Sequence, residues 1–176
     1  KEARAVPVRE VQEQLLNSNA MIMPYIDAGI NHPHFKSIQK IGAAGILRGK
    51  GIPNKWANQT WFYPDSLVSV AALVENFQSF DYTIGSRGEE QLSIGDAADM
   101  IYTIAVISTR RIKNNAAIFS PQEKFKKYVK ENWMIWGLQN FNNDRKITRA
   151  ELAVLLDKTI DPFWMRGVNY EGDFTD

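Results

Sequence analysis

The stretch Ile147-Thr148-Arg149-Ala150-Glu151-Leu152-Ala153-Val154-Leu155-Leu156 decides how the rest of the chain is read. Thr148 stands just before a helical apolar pattern, and Glu151 lies three residues on. A threonine hydroxyl there accepts a bond from a free N–H of the first helical turn, while the glutamate reaches back to the threonine N–H. Leu152, Leu155, Leu156 and Ile160 then follow the i, i+3, i+4 rule for one buried face. Working outward, Ser69 and Ser93 hold the same place before two more such patterns. Val70, Leu73, Val74 and Phe77 follow the first, and Ala97, Ile101, Ile104 and Ala105 the second. Ala72 and Asp96 stand where Glu151 stands in the last copy, so only Thr148–Glu151 completes the reciprocal box.

Helix beginnings of other kinds surround these. Val8 to Asn19 is amphipathic through Val11 and Leu15, and the following Met21–Ile26 run is confined by Pro24 to an edge strand or extended link. Asp27-Ala28-Gly29 reads as a turn. Pro33 suits the first position of a helix that carries Phe35, Ile38 and Ile41 inward and stops at Gly45. Lys50 to Thr60 reads as an irregular loop, and Trp61-Phe62-Tyr63 as a short extended piece stopped by Pro64. Ser120-Pro121-Gln122-Glu123 starts another helix, striped by Phe125, Tyr128 and Val129. Trp133–Gly137 follows that helix as Ile46–Gly49 follows the earlier one. The chain therefore repeats a unit of helix, turn with glycine, short extended piece and capped helix. Stacked units need neighbours to bury their inner faces, which implies one cooperative and mostly helical domain.

The composition bounds the chemistry. At 176 residues and 44% apolar, the chain can bury a real core and is not of disordered type. A net charge of +1 gives no electrostatic reason to expect nucleic acid as a partner. Without cysteine there is no disulfide, thiolate nucleophile or cysteine zinc site. No apolar run approaches the roughly 20 residues of a membrane span. The start at Lys1 reads as that of a processed or partial chain, with any targeting segment outside it.

The repeat unit resembles the S-layer homology repeat. Its Gly-Ile-x-x-Gly turn is matched by Gly45-Ile46-Leu47-Arg48-Gly49, its Phe-x-Pro loop by Phe62-Tyr63-Pro64, and its Thr-Arg-Ala-Glu start by Thr148–Glu151. The resemblance covers roughly Pro33 to Lys158. It implies a mainly α fold, a three-lobed helical bundle of helix–loop–helix repeats with short extended segments. Residues 31–163 would form that domain, 1–30 an N-terminal helix and link from a preceding domain, and 164–176 a tail. It also implies attachment to cell-wall polysaccharide, with Arg149 in anionic glycan binding; Val70 and Ile94 stand at the equivalent positions. A looser likeness, in the order of segments from Val8–Leu16 to Asp161-Pro162-Phe163, is to the tail of bacterial FAD-dependent oxidoreductases of the xanthan-lyase-labelled type. That likeness implies an exported bacterial protein, periplasmic or at the cell surface, and a non-catalytic accessory domain that positions its own upstream catalytic domain. FAD would then belong upstream, with no cofactor or metal in this chain.

The residues themselves offer a few candidate sites. Trp56, Trp61, Phe62 and Tyr63 lie near Asn54, Asn58 and Gln59. Two readings stand: flat rings on which sugars stack, with amides supplying hydrogen bonds, or rings that fill the core, which is the commoner fate of such side chains. The glycan reading takes Trp56, Asn58, Trp61, Tyr63 and Arg149. Asn140–Glu151 follows calcium-loop spacing, but Arg145 stands where glycine belongs and puts a cation at the ion's place. Gly45–Gly51 is one residue short of a phosphate loop and lacks the magnesium-binding hydroxyl. His32 and His34 lack the further ligands of a zinc site. Lys124, Lys126, Lys127 and Lys130 lie on one helix with Glu123 and Glu131, on what reads as a solvated face.

Overall fold

The computed structural model describes residues 8–78, 90–107, 122–160, 167–168 and 174–175. In chain order these form α1 (Val8–Asn17), α2 (Phe35–Ala43), β1 (Lys50–Asn54), β2 (Ala57–Trp61), α3 (Val70–Gln78), α4 (Ile94–Ile107), α5 (Gln122–Asn132), α6 (Arg149–Thr159), β3 (Gly167–Val168) and β4 (Phe174–Thr175). The Ser120-Pro121 helix start and the inward faces of Phe77 and Ala105 lie outside the described residues and side chains.

Ser69, Ser93 and Thr148 do open α3, α4 and α6. Ser69 Oγ accepts from the Ala72 N–H (3.1 Å) and Ser93 Oγ from the Asp96 N–H (3.1 Å). Thr148 and Glu151 close the full box, Thr148 Oγ1 accepting from the Glu151 N–H (3.2 Å) and Glu151 Oε2 from the Thr148 N–H (2.9 Å). The residue before each cap is buried: Val68, Leu92 and Ile147. These three join in a closed ring of backbone bonds. The Val68 N–H donates to Ile147 O (3.2 Å), the Ile147 N–H to Leu92 O (3.0 Å), and the Leu92 N–H to Val68 O (2.8 Å). The first N–H groups of the helices run round the same three segments in the opposite sense. Arg149 donates to Ser66 O, Val70 to Glu90 O and Ile94 to Arg145 O, so each helix start is capped partly by the segment preceding another.

Around this ring lies a continuous core. Leu152 to Leu156 are all buried, so α6 is apolar on every side and not on one stripe only. It packs on α2 and α4, and α5 covers α4 through Phe125 and Val129.

The expected mainly α, three-lobed bundle is corrected by the strands. The chain is a mixed α/β domain, with six helices among the described residues and an antiparallel hairpin, β1–β2, from the segment read as irregular loop. Lys50 pairs with Trp61, Ile52 with Gln59 and Asn54 with Ala57. A second antiparallel pair, β3–β4, lies within the segment read as a tail. Antiparallel pairing satisfies backbone groups that an irregular loop leaves to water. Pro53 is accommodated because a two-stranded hairpin consists only of edges.

The helix ends also shift the repeat register. Gly45 (φ 74°) and Gly137 (φ 79°) take the left-handed conformation that glycine adopts without penalty. At the first, Gly45 N–H bonds to Gly42 O and Ile46 N–H to Ile41 O. At the second, Gly137 bonds to Met134 O and Leu138 to Trp133 O. This double bond is the glycine-terminated helix stop. Gly137 therefore corresponds to Gly45, not to Gly49 as the motif spacing implies. Likewise α2 begins two residues after Pro33, with His34 at its cap position and no side-chain cap bond.

Gly42 and Gly49 serve another purpose, because the ring of Tyr25 lies against both. A β-carbon on Gly42 would collide with the Tyr25 hydroxyl and lie 2.8 Å from its ring. Tyr25 is buried, and its hydroxyl lies by the Gly49 backbone amide without closing a hydrogen bond of normal geometry. Gly42→Ala is expected to destabilise the fold by about 1–2 kcal/mol, overpacking exceeding the helix-propensity gain of about 1 kcal/mol. Tyr25→Phe, which removes the first atom struck but leaves ring carbons at 2.8 and 2.9 Å, should restore only part of that loss in the double variant, measured by urea unfolding. Gly51→Ala, which meets nothing within 4 Å, serves as the control.

Candidate functional site

The hairpin holds the sequence-derived aromatic group. Side chains alternate faces along a strand, so Lys50, Ile52, Gln59 and Trp61 share one face, with Gly51, Asn58 and Thr60 on the other. Thr60 lies at Gly49 beside Tyr25, which makes its face the inner one. Trp61 is therefore on the outer face, and Tyr63 stacks against it with ring centroids 6.2 Å apart and planes 24° from parallel. Tyr63 and Ile52 are exposed and Trp61 is half-buried. Trp56 sits in the two-residue connection at the tip and is 93% exposed. Of Trp56, Trp61, Phe62 and Tyr63, only Phe62 is core, at 0% exposure. Asn58 does not join the Trp61 face; Gln59 takes that place.

Tyr63 has φ 57°, a left-handed conformation uncommon for a bulky residue. Two groups from distant elements hold it there. Asp27 accepts from the Phe62 N–H at Oδ1 and the Tyr63 N–H at Oδ2, both at 2.7 Å. Arg149 donates through Nε to Phe62 O (2.7 Å) and through Nη2 to Arg48 O (2.8 Å), with its guanidinium 4.7 Å from the centre of the Phe62 ring. Carboxylate, guanidinium and Phe62 thus clamp the peptide that joins the two stacked rings. Burial, which disfavours the charged form, lowers the Arg149 pKa from its ordinary value; the nearby Tyr25 and Asp27 oppose that shift. Burial likewise raises the Tyr25 pKa. Sequence reading missed Asp27, taken there as part of a turn, because its partners lie 35 and 36 residues away and nothing local marks them.

The other structural caps stand as described above, and Glu151 does more than cap. Arg145 grips its carboxylate with Nη2 on Oε1 (2.6 Å) and Nη1 on Oε2 (3.1 Å), and donates to the carbonyls of Asn140 (2.9 Å) and Gln139 (3.2 Å). The guanidinium thus takes the Glu151 carboxylate and approaches the Lys146 carbonyl (3.4 Å), two of the oxygens that calcium-loop spacing would offer to an ion. Among the described residues there is no group of three or more His, Asp or Glu able to hold a metal, and no helix long and apolar enough to cross a membrane. On α5, Lys126 pairs with Asp99 of α4 (2.7 Å) and Lys127 with Glu131 (3.7 Å). His32 and His34 lie edge to face, 5.9 Å apart, and Nδ1 of His32 accepts from the His34 N–H (3.1 Å).

No protein-family model, curated protein or solved structure matches the chain.

Two predictions follow from these contacts. Arg145→Ala leaves Glu151 Oε1 and two exposed carbonyls without their donor, while Oε2 keeps the Thr148 N–H, and should cost about 1 kcal/mol of stability by urea unfolding. Added calcium should not restore it. For the histidines, burial lowers both pKa values below the ordinary one near 6.5. A folded-state value below the unfolded one contributes stability above the unfolded pKa, which is lost as pH falls through the folded value. The chain should therefore lose stability as pH drops below about 6.5. A His32→Gln, His34→Gln variant should show a shallower fall over the same window in thermal melts.

Proposed function

We propose that the chain is a non-catalytic accessory domain that holds polysaccharide on the outer aromatic face of its hairpin. The observation that carries this reading is the Tyr63 backbone. A tyrosine held at positive φ costs on the order of 1–3 kcal/mol, and such strain persists where the surroundings impose it for a purpose. Here Asp27 and Arg149 impose it, and the outcome is a stacked pair, Trp61 half-buried and Tyr63 exposed, flanked by Gln59, with Trp56 projecting at the tip. Stacked rings fixed before binding lose little conformational freedom when a sugar face covers them. Arg149 acts in this reading as a positioning residue, since its Nε and Nη2 are engaged by protein carbonyls.

The titratable groups support a binding role over a chemical one. Glu151 is held by a cap and a guanidinium, Asp96 by Ser93, Asp27 by two backbone amides, and Asp157 by Ser37 and Lys40. Asp27 and Asp157 fasten distant elements together, and Asp96 and Glu151 fasten the starts of their own helices. In this reading the module follows an upstream flavin domain in an exported bacterial protein, as the likeness to oxidoreductase tails implies, and would keep the enzyme on its substrate or on the cell wall.

The test is retention on a panel of insoluble and gel-embedded polysaccharides by affinity electrophoresis. At least one should retard the chain, and Trp61→Ala with Tyr63→Ala should abolish retardation while the melting temperature holds. Trp56→Ala should weaken it by roughly tenfold or less, as expected for one exposed contact. Equal retention of the double variant, or no retention on any member of a panel spanning neutral and acidic glycans, contradicts the reading.

A further inference from the structure

A cleft of about 580 Å³ opens between the C-terminal end of α1, the turn before α2 and the last turns of α6. Its size lies within the range of about 300–1,000 Å³ typical of small-molecule sites. Trp136 and Ile30 give it an apolar wall, and His32, His34 and three lysines a polar one. The lysines are Lys36, Lys40 and Lys158, against which the lining sets two acids, Glu13 and Asp157. Asp157 is already committed. Its Oδ2 accepts from Ser37 Oγ (2.9 Å), Lys40 Nζ lies 3.1 Å from Oδ1, and Lys158 Nζ lies 3.8 Å from Oδ2. Lys36 and Lys158 remain exposed at the cleft. Because Nδ1 of His32 accepts a backbone N–H, the neutral ring carries its proton on Nε2 and offers one more donor. The lining thus combines surplus cationic and N–H groups with one flat aromatic face.

We propose that this cleft binds a small ring-bearing carboxylic acid, whose carboxylate meets Lys36 and Lys158 and whose ring lies along Trp136. The chemistry is shared by a uronic acid and by an aromatic acid, and the site is independent of the hairpin.

The experiment is titration of the full chain, followed by proton–nitrogen NMR. Sodium glucuronate and sodium benzoate are the ligands, and glucose and benzyl alcohol their uncharged counterparts. At least one acid should bind and shift the Trp136 indole and the His32 and His34 imidazole signals. Its uncharged counterpart should bind roughly tenfold more weakly or less, the equivalent of losing one charge-assisted contact. Which acid prevails identifies the source of the carboxylate. Lys36→Gln with Lys158→Gln, both exposed, should weaken the acid by a similar factor at unchanged melting temperature. Trp61→Ala with Tyr63→Ala should leave it unaltered, which separates this cleft from the hairpin. Failure of both acids to bind, equal binding of the uncharged compounds, or unaltered binding by the lysine variant overturns the proposal.

Discussion

Three buried backbone hydrogen bonds, running from Val68 to Ile147, from Ile147 to Leu92 and from Leu92 back to Val68, tie the molecule together. Each joins segments far apart in sequence at the residue before a helix cap. A buried backbone donor left unpaired costs about 1–3 kcal/mol, so the ring is favoured only when all three segments are in place. That requirement fixes the starting points of α3, α4 and α6 relative to one another. It also explains why the caps matter beyond their local worth. Ser69, Ser93 and Thr148 set the direction in which each helix leaves the ring, and α6, apolar on all sides, becomes the axis on which α2 and α4 pack.

From that fixed frame the hairpin is aimed. Arg149, the first residue of α6, reaches the carbonyls of Phe62 and Arg48, while Asp27 accepts from the Phe62 and Tyr63 amides. Phe62 fills the core beside Tyr25, ring centroids 5.2 Å apart, and its neighbours Trp61 and Tyr63 are turned outward. One side of a three-residue segment is thus anchored by apolar burial and charge-assisted bonds, and the other is presented to solvent. The scaffold is rigid where the candidate site is attached, as a recognition surface requires.

Much of the helical frame was legible because its signals are local. A hydroxyl cap, an i, i+3, i+4 stripe and a glycine after the last turn all fall within one helix, and Thr148–Glu151 and Gly45 behave as their spacing implies. The hairpin was not legible. Its connection is Lys55-Trp56, and Lys55 takes φ 55° without being Asn, Asp or Gly, while Pro53 argues against a strand. Tertiary contacts, not turn chemistry, hold it. The aromatic group was found from residue type, but its division was hidden. Which ring enters the core depends on register against β1 and on a clamp from Asp27 and Arg149, and neither leaves a mark in the sequence near Tyr63. Arg145 was recognised as a cation in the ion's place; its two-pronged grip on the Glu151 carboxylate was not, because nothing in the spacing marks it.

Native-state hydrogen exchange of the Val68, Leu92 and Ile147 amides tests the ring most directly. If the three bonds form one cooperative unit, all three amides exchange only through global unfolding, with equal opening free energies that track urea stability in parallel. An opening free energy for any one of them well below the global value would show that its segment leaves the ring independently, and would contradict the account.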